Sequence, residues 1–372
     1  MNEIEPVQTY WDECLERMRG ATEFVTTATH QNWSDPGAEA ADYLLQTLAS
    51  AYILVARGDP NYPEFIPWLN PVFTYAAGNP DATYYFTMID GRGTYRIVGQ
   101  RNTVNWIDFL TGYDYWGFAD VPGKSNPSMQ MDDFSVEPDG SFDILLSNVR
   151  PEGHDGNWMK IETNVNYIVV RQFANHPDEV DARMAIERLD RSGPPPLYTS
   201  ESLRRRVDET IRHLKNSSKA WPSFPRRIQK AENFRFNHIA QVGYGGTGEV
   251  WGQAYYQGLY RVEPGEALIV EFKVPGKCRY WNLQLSDLWW RTLEAVRRQG
   301  HLNGYKNRAD GDGITRLVIA HGDPGVENWV DAGGVIEGDV VMRFLYIDAA
   351  PEVTTRIVPL NELKQTLPSD TK

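Results

Sequence analysis

The sequence predicts a mainly β protein: two related antiparallel β-sandwiches of jelly-roll type, with an N-terminal helical hairpin and a connecting helix. Three observations carry that prediction. Short β-rich runs broken by Gly, Pro, Asn and Asp fill two long stretches of the chain. The second stretch echoes the first. No helices of ordinary length alternate with the strands, as a parallel doubly wound sheet would require.

The expected organisation is a hairpin over 1–60, a first sandwich over 61–190, a helical connector over 191–233 and a second sandwich over 234–372. In the hairpin, Trp11, Cys14, Leu15, Met18 and Ala21 form one helical stripe, and Ala41, Leu44, Leu45, Leu48, Tyr52 and Val55 form another. Asp35 before Pro36 suits a helix start, and Gly58 a stop. Each stripe has an apolar face to bury, so the hairpin is expected to pack on itself or on the following sheet. The clearest strands of the first sandwich are Tyr84 to Ile89, Thr94 to Val98, Ser141 to Leu146 and Tyr167 to Phe173. The run Arg191-Ser192-Gly193-Pro194-Pro195-Pro196 ends regular structure. Thr199 or Ser200 then caps a helix carrying Leu203, Val207, Ile211 and Leu214, and Ser217, Ser218 and Pro222 release the chain toward a β region from about Phe234.

The repeat is visible in particular residues. Asp139-Gly140 followed by Ser141 to Leu146 answers Asp312-Gly313 followed by Ile314 to Ile319. Asn157-Trp158 answers Asn328-Trp329, and Val170-Arg171 answers Met342-Arg343, at a separation constant to within two residues. Tyr95 and Tyr280 sit in similar strands at a somewhat longer separation.

Composition narrows the function. A net charge of −13 over 372 residues makes nucleic acid or an anionic membrane a poor partner. The basic run Arg204-Arg205-Arg206 reads as a solvated helix face. Two cysteines, Cys14 and Cys278, exclude a disulfide framework or a cysteine-based zinc site. The start lacks the basic and apolar regions of a secretory signal, so a cytoplasmic location is expected. A homodimer through a strand edge or the front helices is compatible with the sequence without being required by it.

The second β region also resembles an uncharacterised bacterial family, domain of unknown function twelve-fourteen. The resemblance rests on Pro275-Gly276-Lys277-Cys278-Arg279-Tyr280-Trp281, on Asn303, on Asp312-Gly313 and on Asp323-Pro324-Gly325-Val326-Glu327-Asn328-Trp329. Arg343 and Val358-Pro359-Leu360 complete it. It covers roughly residues 235–363, and residues 80–175 only through the repeat. It implies a fold and no particular reaction.

Several motifs bear on chemistry. Gly243-Tyr244-Gly245-Gly246-Thr247-Gly248 has dinucleotide-like spacing, but the aromatic stretch after it reads as strand, where a dinucleotide site needs a helix. No redox cofactor is expected. The seven histidines show no metalloprotease spacing and no metal is expected. Cys278 reads as a small core residue rather than a nucleophile. The Asn-Trp pairs and the strand arginines recur in both copies, which marks them as scaffold.

Function is sought where the copies differ. Strand alternation places Trp281, Leu283 and Leu285 on one face and Tyr280, Asn282 and Gln284 on the other. That second face suits a neutral polar ligand, and equally reads as a solvated sheet surface. Asp287 beside Trp289 and Trp290 reads either as a general acid with a raised pKa or as a capping residue beside core tryptophans. Glu249, Asp287 and Asp323 are therefore the candidate catalytic carboxylates, and Asp331 belongs to the same set of acidic groups that would have to converge. Tyr244, Trp251, Tyr280, Asn282, Gln284, Trp289, Trp290 and Asn303 are the candidate substrate-binding residues. Aromatic clusters at Trp106, Phe109, Tyr113, Tyr115, Trp116 and Phe118, and again at Trp251 to Tyr260, serve as walls for a ring-bearing ligand or as core.

These readings favour a cofactor-independent hydrolase or lyase using carboxylate acid/base chemistry on a neutral, ring-bearing small molecule or glycan. The alternatives are a non-catalytic binding protein, or an enzyme acting on hydrophobic steroid-like or terpenoid-like rings.

Overall fold

The computed structural model describes residues 7–25, 35–243 and 252–368. Its first β-rich half runs Ile66–Trp68 (β1), Ala82–Met88 (β2), Tyr95–Gln100 (β3), Trp106–Gly112 (β4), Met129–Gln130 (β5), Ser141–Ser147 (β6), Asn157–Lys160 (β7), Tyr167–Phe173 (β8) and Arg183–Arg188 (β9). The second half runs Ala240–Val242 (β10), Ala254–Arg261 (β11), Glu266–Phe272 (β12), Tyr280–Ser286 (β13), His301–Asn303 (β14), Thr315–Ala320 (β15), Trp329–Asp331 (β16), Glu337–Leu345 (β17) and Val353–Pro359 (β18). The first half pairs as β1-β2-β8-β4-β5 and β7-β6-β3-β9; the second as β10-β11-β17-β13-β14 and β16-β15-β12-β18. Adding nine to each strand number turns one plan into the other. The halves are two similar domains.

The repeated turn glycines and Asn-Trp pairs do the same work in each. Gly140 and Gly313 take φ of +85° and +78°, the left-handed conformation an Asp-Gly turn asks of its glycine. The Asn157 amide donates to the Ser135 carbonyl at 2.8 Å, and the Asn328 amide to the Arg308 carbonyl at 2.6 Å. Each indole of the Asn-Trp pairs bonds the strand beside it, Trp158 to Ser147 and Trp329 to Ala320. One expected equivalence is corrected. Tyr95 lies in β3, whose counterpart is β12, whereas Tyr280 opens β13, whose counterpart is β4, so Tyr280 corresponds to Trp106.

Each sandwich has a core between its own sheets: Ile107, Phe109, Ile168 and Val170 in the first, Trp281, Leu283, Leu285, Val340 and Met342 in the second. The outer faces of the two long sheets turn toward each other. Trp106 and Phe173 of the first domain there join Tyr280 and Leu345 of the second in one buried cluster, with the Phe173 and Tyr280 rings 5.6 Å apart. Counterpart positions thus meet across the junction.

Among the described residues, four longer helices accompany the sheets: Val7–Met18 (α1), Pro36–Ala51 (α2), Ser200–Ala220 (α3) and Ser223–Gln229 (α4), with Leu363–Thr366 (α5) a short turn after β18. Thr199 caps α3 as expected, its hydroxyl accepting from the Ser202 amide at 3.1 Å. Ser217 and Ser218 lie inside α3, because the helix continues to Ala220. The front helices depart from a self-packed hairpin. α1 buries no residue, leaving Trp11 59% and Leu15 45% exposed, and meets α3 through ion pairs of Arg17 with Asp208 and of Glu13 with Arg204. α2 packs on α3 through Tyr43, Thr47, Ser50 and Ala51, so Ala41, Leu45 and Tyr52 stay outside. The hydroxyls on that buried face have partners: Thr47 donates to the Tyr43 carbonyl at 2.8 Å, and Ser50 meets Tyr75. Arg204, Arg205 and Arg206 are spent on Glu13, Glu209 and the Ala56 carbonyl.

Candidate functional site between the two domains

A cleft of about 680 Å³ opens where the β1–β2 connection of the first domain lies against the second. One wall includes Asn70, Phe73, Thr74 and Asn79, the other Asp287, Arg291, Thr292, His301 and Asp331, while Trp289 and Trp290 do not line it.

The β1–β2 connection is held by backbone groups. The Ala77 amide donates to the Trp290 carbonyl at 2.7 Å, and the Thr292 amide donates to the Thr74 carbonyl at 2.7 Å. Ala77 and Trp290 have φ of 45° and 65°, which non-glycine residues rarely adopt. These bonds, and the stacking of Trp290 on Phe224 at 4.1 Å, fix them there.

Below that connection lies the outer face of β13, with Tyr280, Asn282 and Gln284 alternating on it as the sequence indicates. The face is neither solvated nor open. Asn282 and Gln284 are fully buried. The Asn282 amide donates to the Asn79 side-chain oxygen at 3.0 Å, and Gln284 donates to the Ala77 carbonyl at 3.0 Å and the Gly78 carbonyl at 3.1 Å. The Tyr280 hydroxyl accepts from the Asn79 amide at 2.8 Å and donates to Asp81 Oδ2 at 2.8 Å. Burial and the neighbouring Asp81 charge hold the Tyr280 phenol far above its ordinary pKa, so it stays a proton-bearing donor. Arg343 donates to the Ala77 carbonyl at 2.7 Å and to Gln284. Its counterpart Arg171 instead forms a buried pair with Asp108, at 2.8 and 2.7 Å. Asp108 is the position that became Asn282 in the second copy, as the strand registers show.

His301 opens β14 opposite Gln284 and lines the cleft. Its Nε2 lies 3.1 Å from Asp81 Oδ1. A carboxylate only accepts, so Nε2 is the donor of this contact. That Nδ1 is buried and has no hydrogen-bond partner.

Asp287 also lines the cleft, and burial raises its pKa against the opposing pull of Arg291. Its Oδ1 accepts from the Trp289 and Arg291 amides at 2.8 and 2.9 Å, and its Oδ2 from Arg291 Nε at 2.6 Å. It therefore holds a turn as well as facing the cleft. Asp331 lines the wall beside it, bonded to the Gly333 amide at 2.7 Å and to Arg298 at 3.1 Å. Asp323 is exposed in the turn after β15, accepts from the Gly325 amide at 2.7 Å, and does not line the cleft. Asn303 accepts from the Tyr305 and Lys306 amides at 3.1 Å each and reaches the Asn175 carbonyl of the first domain. Glu249, Tyr244 and Trp251, with the glycine loop from Tyr244 on, lie outside the described residues.

The aromatic clusters are largely core. Trp289 stacks on Tyr43 at 6.0 Å, and Tyr115, Trp116 and Phe118 pack with Trp68, Phe86 and Trp221 beneath the helices. Phe73 is the aromatic that the described cleft lining contains. Cys278 packs against the second core, where burial pushes its thiol up to about 11. Asn79, Asp81, Thr292 and His301 are the site residues that sequence reasoning did not single out.

The strand plan of the first domain now has a counterpart among known proteins. Residues 86–177 match the family described as protein of unknown function (DUF1214). The DUF1214 segment thus spans β2 to β8 of the first copy, whereas the motif resemblance read from the sequence lay mainly in the second. An uncharacterized protein from Burkholderia cenocepacia has a similar structure, at 24% identity and a TM-score of 0.85, over 95% of this chain and 97% of that one. That likeness is one of fold. The VPA0106 protein from Vibrio parahaemolyticus is more distant, at 11% identity and a TM-score of 0.47, over 92% of this chain and 100% of that one. No curated protein matches the chain.

Proposed function

We propose that the protein is a cofactor-independent enzyme of hydrolase or lyase type, acting by proton transfer on a small, neutral, ring-bearing molecule such as a sugar derivative. The observation that carries this reading is a cleft of about 680 Å³ whose lining includes Asp287, His301 and Asp331 together with Asn79, Thr74 and Thr292. That volume lies within the range of small-molecule sites, and proton-transfer chemistry needs titratable groups beside orienting polar ones. Leu69, Phe73, Pro80 and Val335 supply apolar contact for a ring. With one aromatic in the lining, the balance favours a polar ligand over a steroid-like one.

Incubation with a panel of glycosides and hydroxylated ring compounds tests the reading. Wild type should turn over at least one member, and Asp331→Asn should lower that turnover by about 10²-fold, the usual scale for loss of an acid–base group. Fluorescence that responds to a ligand without product would make this a binding protein. A panel with neither response sinks the proposal.

A further inference from the structure

Helix α2 belongs to neither sandwich, yet one of its faces is bonded to both walls of the cleft. Glu39, Asp42 and Gln46 follow one another at steps of three and four residues, the spacing of a single helix face. On the first-domain wall, Gln46 Oε1 accepts from the Thr74 amide at 3.3 Å and from the Thr74 hydroxyl at 3.2 Å. On the second-domain wall, Arg291 donates to Glu39 at 2.7 Å and to Asp42 at 3.0 Å, while its Nε donates to Asp287 at 2.6 Å. Asp42 Oδ2 also accepts from the Gln46 amide at 2.6 Å, which joins the two contacts into one network. Tyr43, on the neighbouring face, stacks on Trp289 and holds the helix against the turn that carries Arg291. Three carboxylates thus surround one guanidinium, and Glu39 lines the cleft with it. Arg298, the other arginine of the described lining, is paired with Asp331 at 3.1 Å. Asp287 directly follows β13, whereas Tyr113 directly follows the counterpart strand β4, so this anchor for Arg291 belongs to the second copy alone.

We propose that α2 is the charge-selecting wall of the cleft, with Glu39 and Asp42 as its specificity-determining residues: the site admits hydroxylated ring compounds and excludes their phosphate- or carboxylate-bearing counterparts. This rests on the reading of the cleft as the ligand site and deepens it by naming what that site refuses. An anion gains most from a guanidinium whose two terminal nitrogens are free to grip it as a fork. Both terminal nitrogens of Arg291 already serve carboxylates of α2, and the surplus negative charge repels a further anion a few ångströms away. A hydroxyl meets no such repulsion and can donate to the same carboxylates.

Calorimetric titration of the full-length protein with inorganic phosphate at pH 7.5 and low salt tests this. The double variant Glu39→Gln with Asp42→Asn changes two half-exposed side chains, frees the Arg291 fork and lifts two negative charges. Its phosphate affinity should exceed that of wild type by about tenfold or more. Adding Arg291→Lys, which keeps the charge opposite Asp287 but loses the planar fork, should remove most of that gain while the circular dichroism stays native. Glu152→Gln with Asp155→Asn, which removes the same charge from an exposed loop, should leave phosphate affinity as in wild type. Wild type that binds phosphate as tightly as the α2 double variant, or a gain matched by the loop variant, overturns the proposal. The titration needs no turnover, so a substrate panel without product removes the enzymatic reading and leaves the charge selection decided by phosphate alone.

Discussion

Asp339 shows what a single residue contributes to pH dependence. It is fully buried on β17, and burial raises its carboxyl far above the ordinary range, although Gln257 donates to it at 2.7 Å and Trp290 at 3.0 Å. An unfolded aspartate releases its proton near pH ~3.9, so above that value the native state holds a proton that the unfolded chain has lost. Stability from this residue is therefore greatest at or below that pH and falls as the pH rises. Asp339→Asn removes the titration, and Gln257 can turn its amide to keep the contact. Its melting temperature should exceed wild type at pH 7.5 and converge with it near pH 4, as differential scanning calorimetry at the two values would show. At this scale the sequence was partly readable. The alternation on β13 follows from its residues alone. What covers Tyr280, Asn282 and Gln284 does not, because Ala77, Asn79 and Asp81 arrive from the other domain, about 200 positions earlier.

Among the elements, α3 was the most legible and α2 the least. The start of α3 rests on local chemistry: Thr199 and Ser202 exchange hydrogen bonds at 3.1 and 2.9 Å. Thr199→Ala should cost about 0.5–2 kcal/mol in urea denaturation, with Thr199→Ser close to wild type. A wild-type midpoint for the alanine variant would show that tertiary contacts alone set this end of the helix. For α2, the apolar stripe was half right: Val55 is buried and Leu44 packs against the core, whereas Ala41, Leu45 and Tyr52 stay exposed. The covered side carries Tyr43, Thr47 and Ser50, whose hydroxyls meet the Ser217 carbonyl, the Tyr43 carbonyl and Tyr75 respectively. A hydrophobicity pattern cannot anticipate polar groups that find partners inside the fold. β14 was missed for a related reason. It has only three residues, and His301 gains its meaning from Asp81, which no local spacing reveals.

For the whole molecule the repeat was legible and the junction was not. Asp-Gly turns, Asn-Trp pairs and strand arginines gave away the duplication, because scaffold residues keep their identity in both copies. The junction is built largely from positions that diverged, with the shared Arg343 put to a new use on the Ala77 carbonyl. One buried cluster there holds Trp68, Tyr84 and Phe86 of the first domain with Trp289, Trp290 and Val341 of the second, and Tyr43, Trp221 and Phe224 from the helical layer. Neither domain keeps that surface covered alone, so heat should unfold the chain in one step. Calorimetric and van't Hoff enthalpies are expected to agree, and two resolved peaks would contradict the shared core.

The meeting of Trp106 and Phe173 with their own counterparts Tyr280 and Leu345 has an evolutionary consequence. A patch that packs against its equivalent is the mark of an isologous dimer. A lone ancestral sandwich of this plan could cover its long sheet with a second identical chain. The two halves differ at that meeting: Asp108 pairs with Arg171 in the first, while in the second Asn282 stands in the aspartate's place and the retained Arg343 donates to the Ala77 carbonyl of the other half.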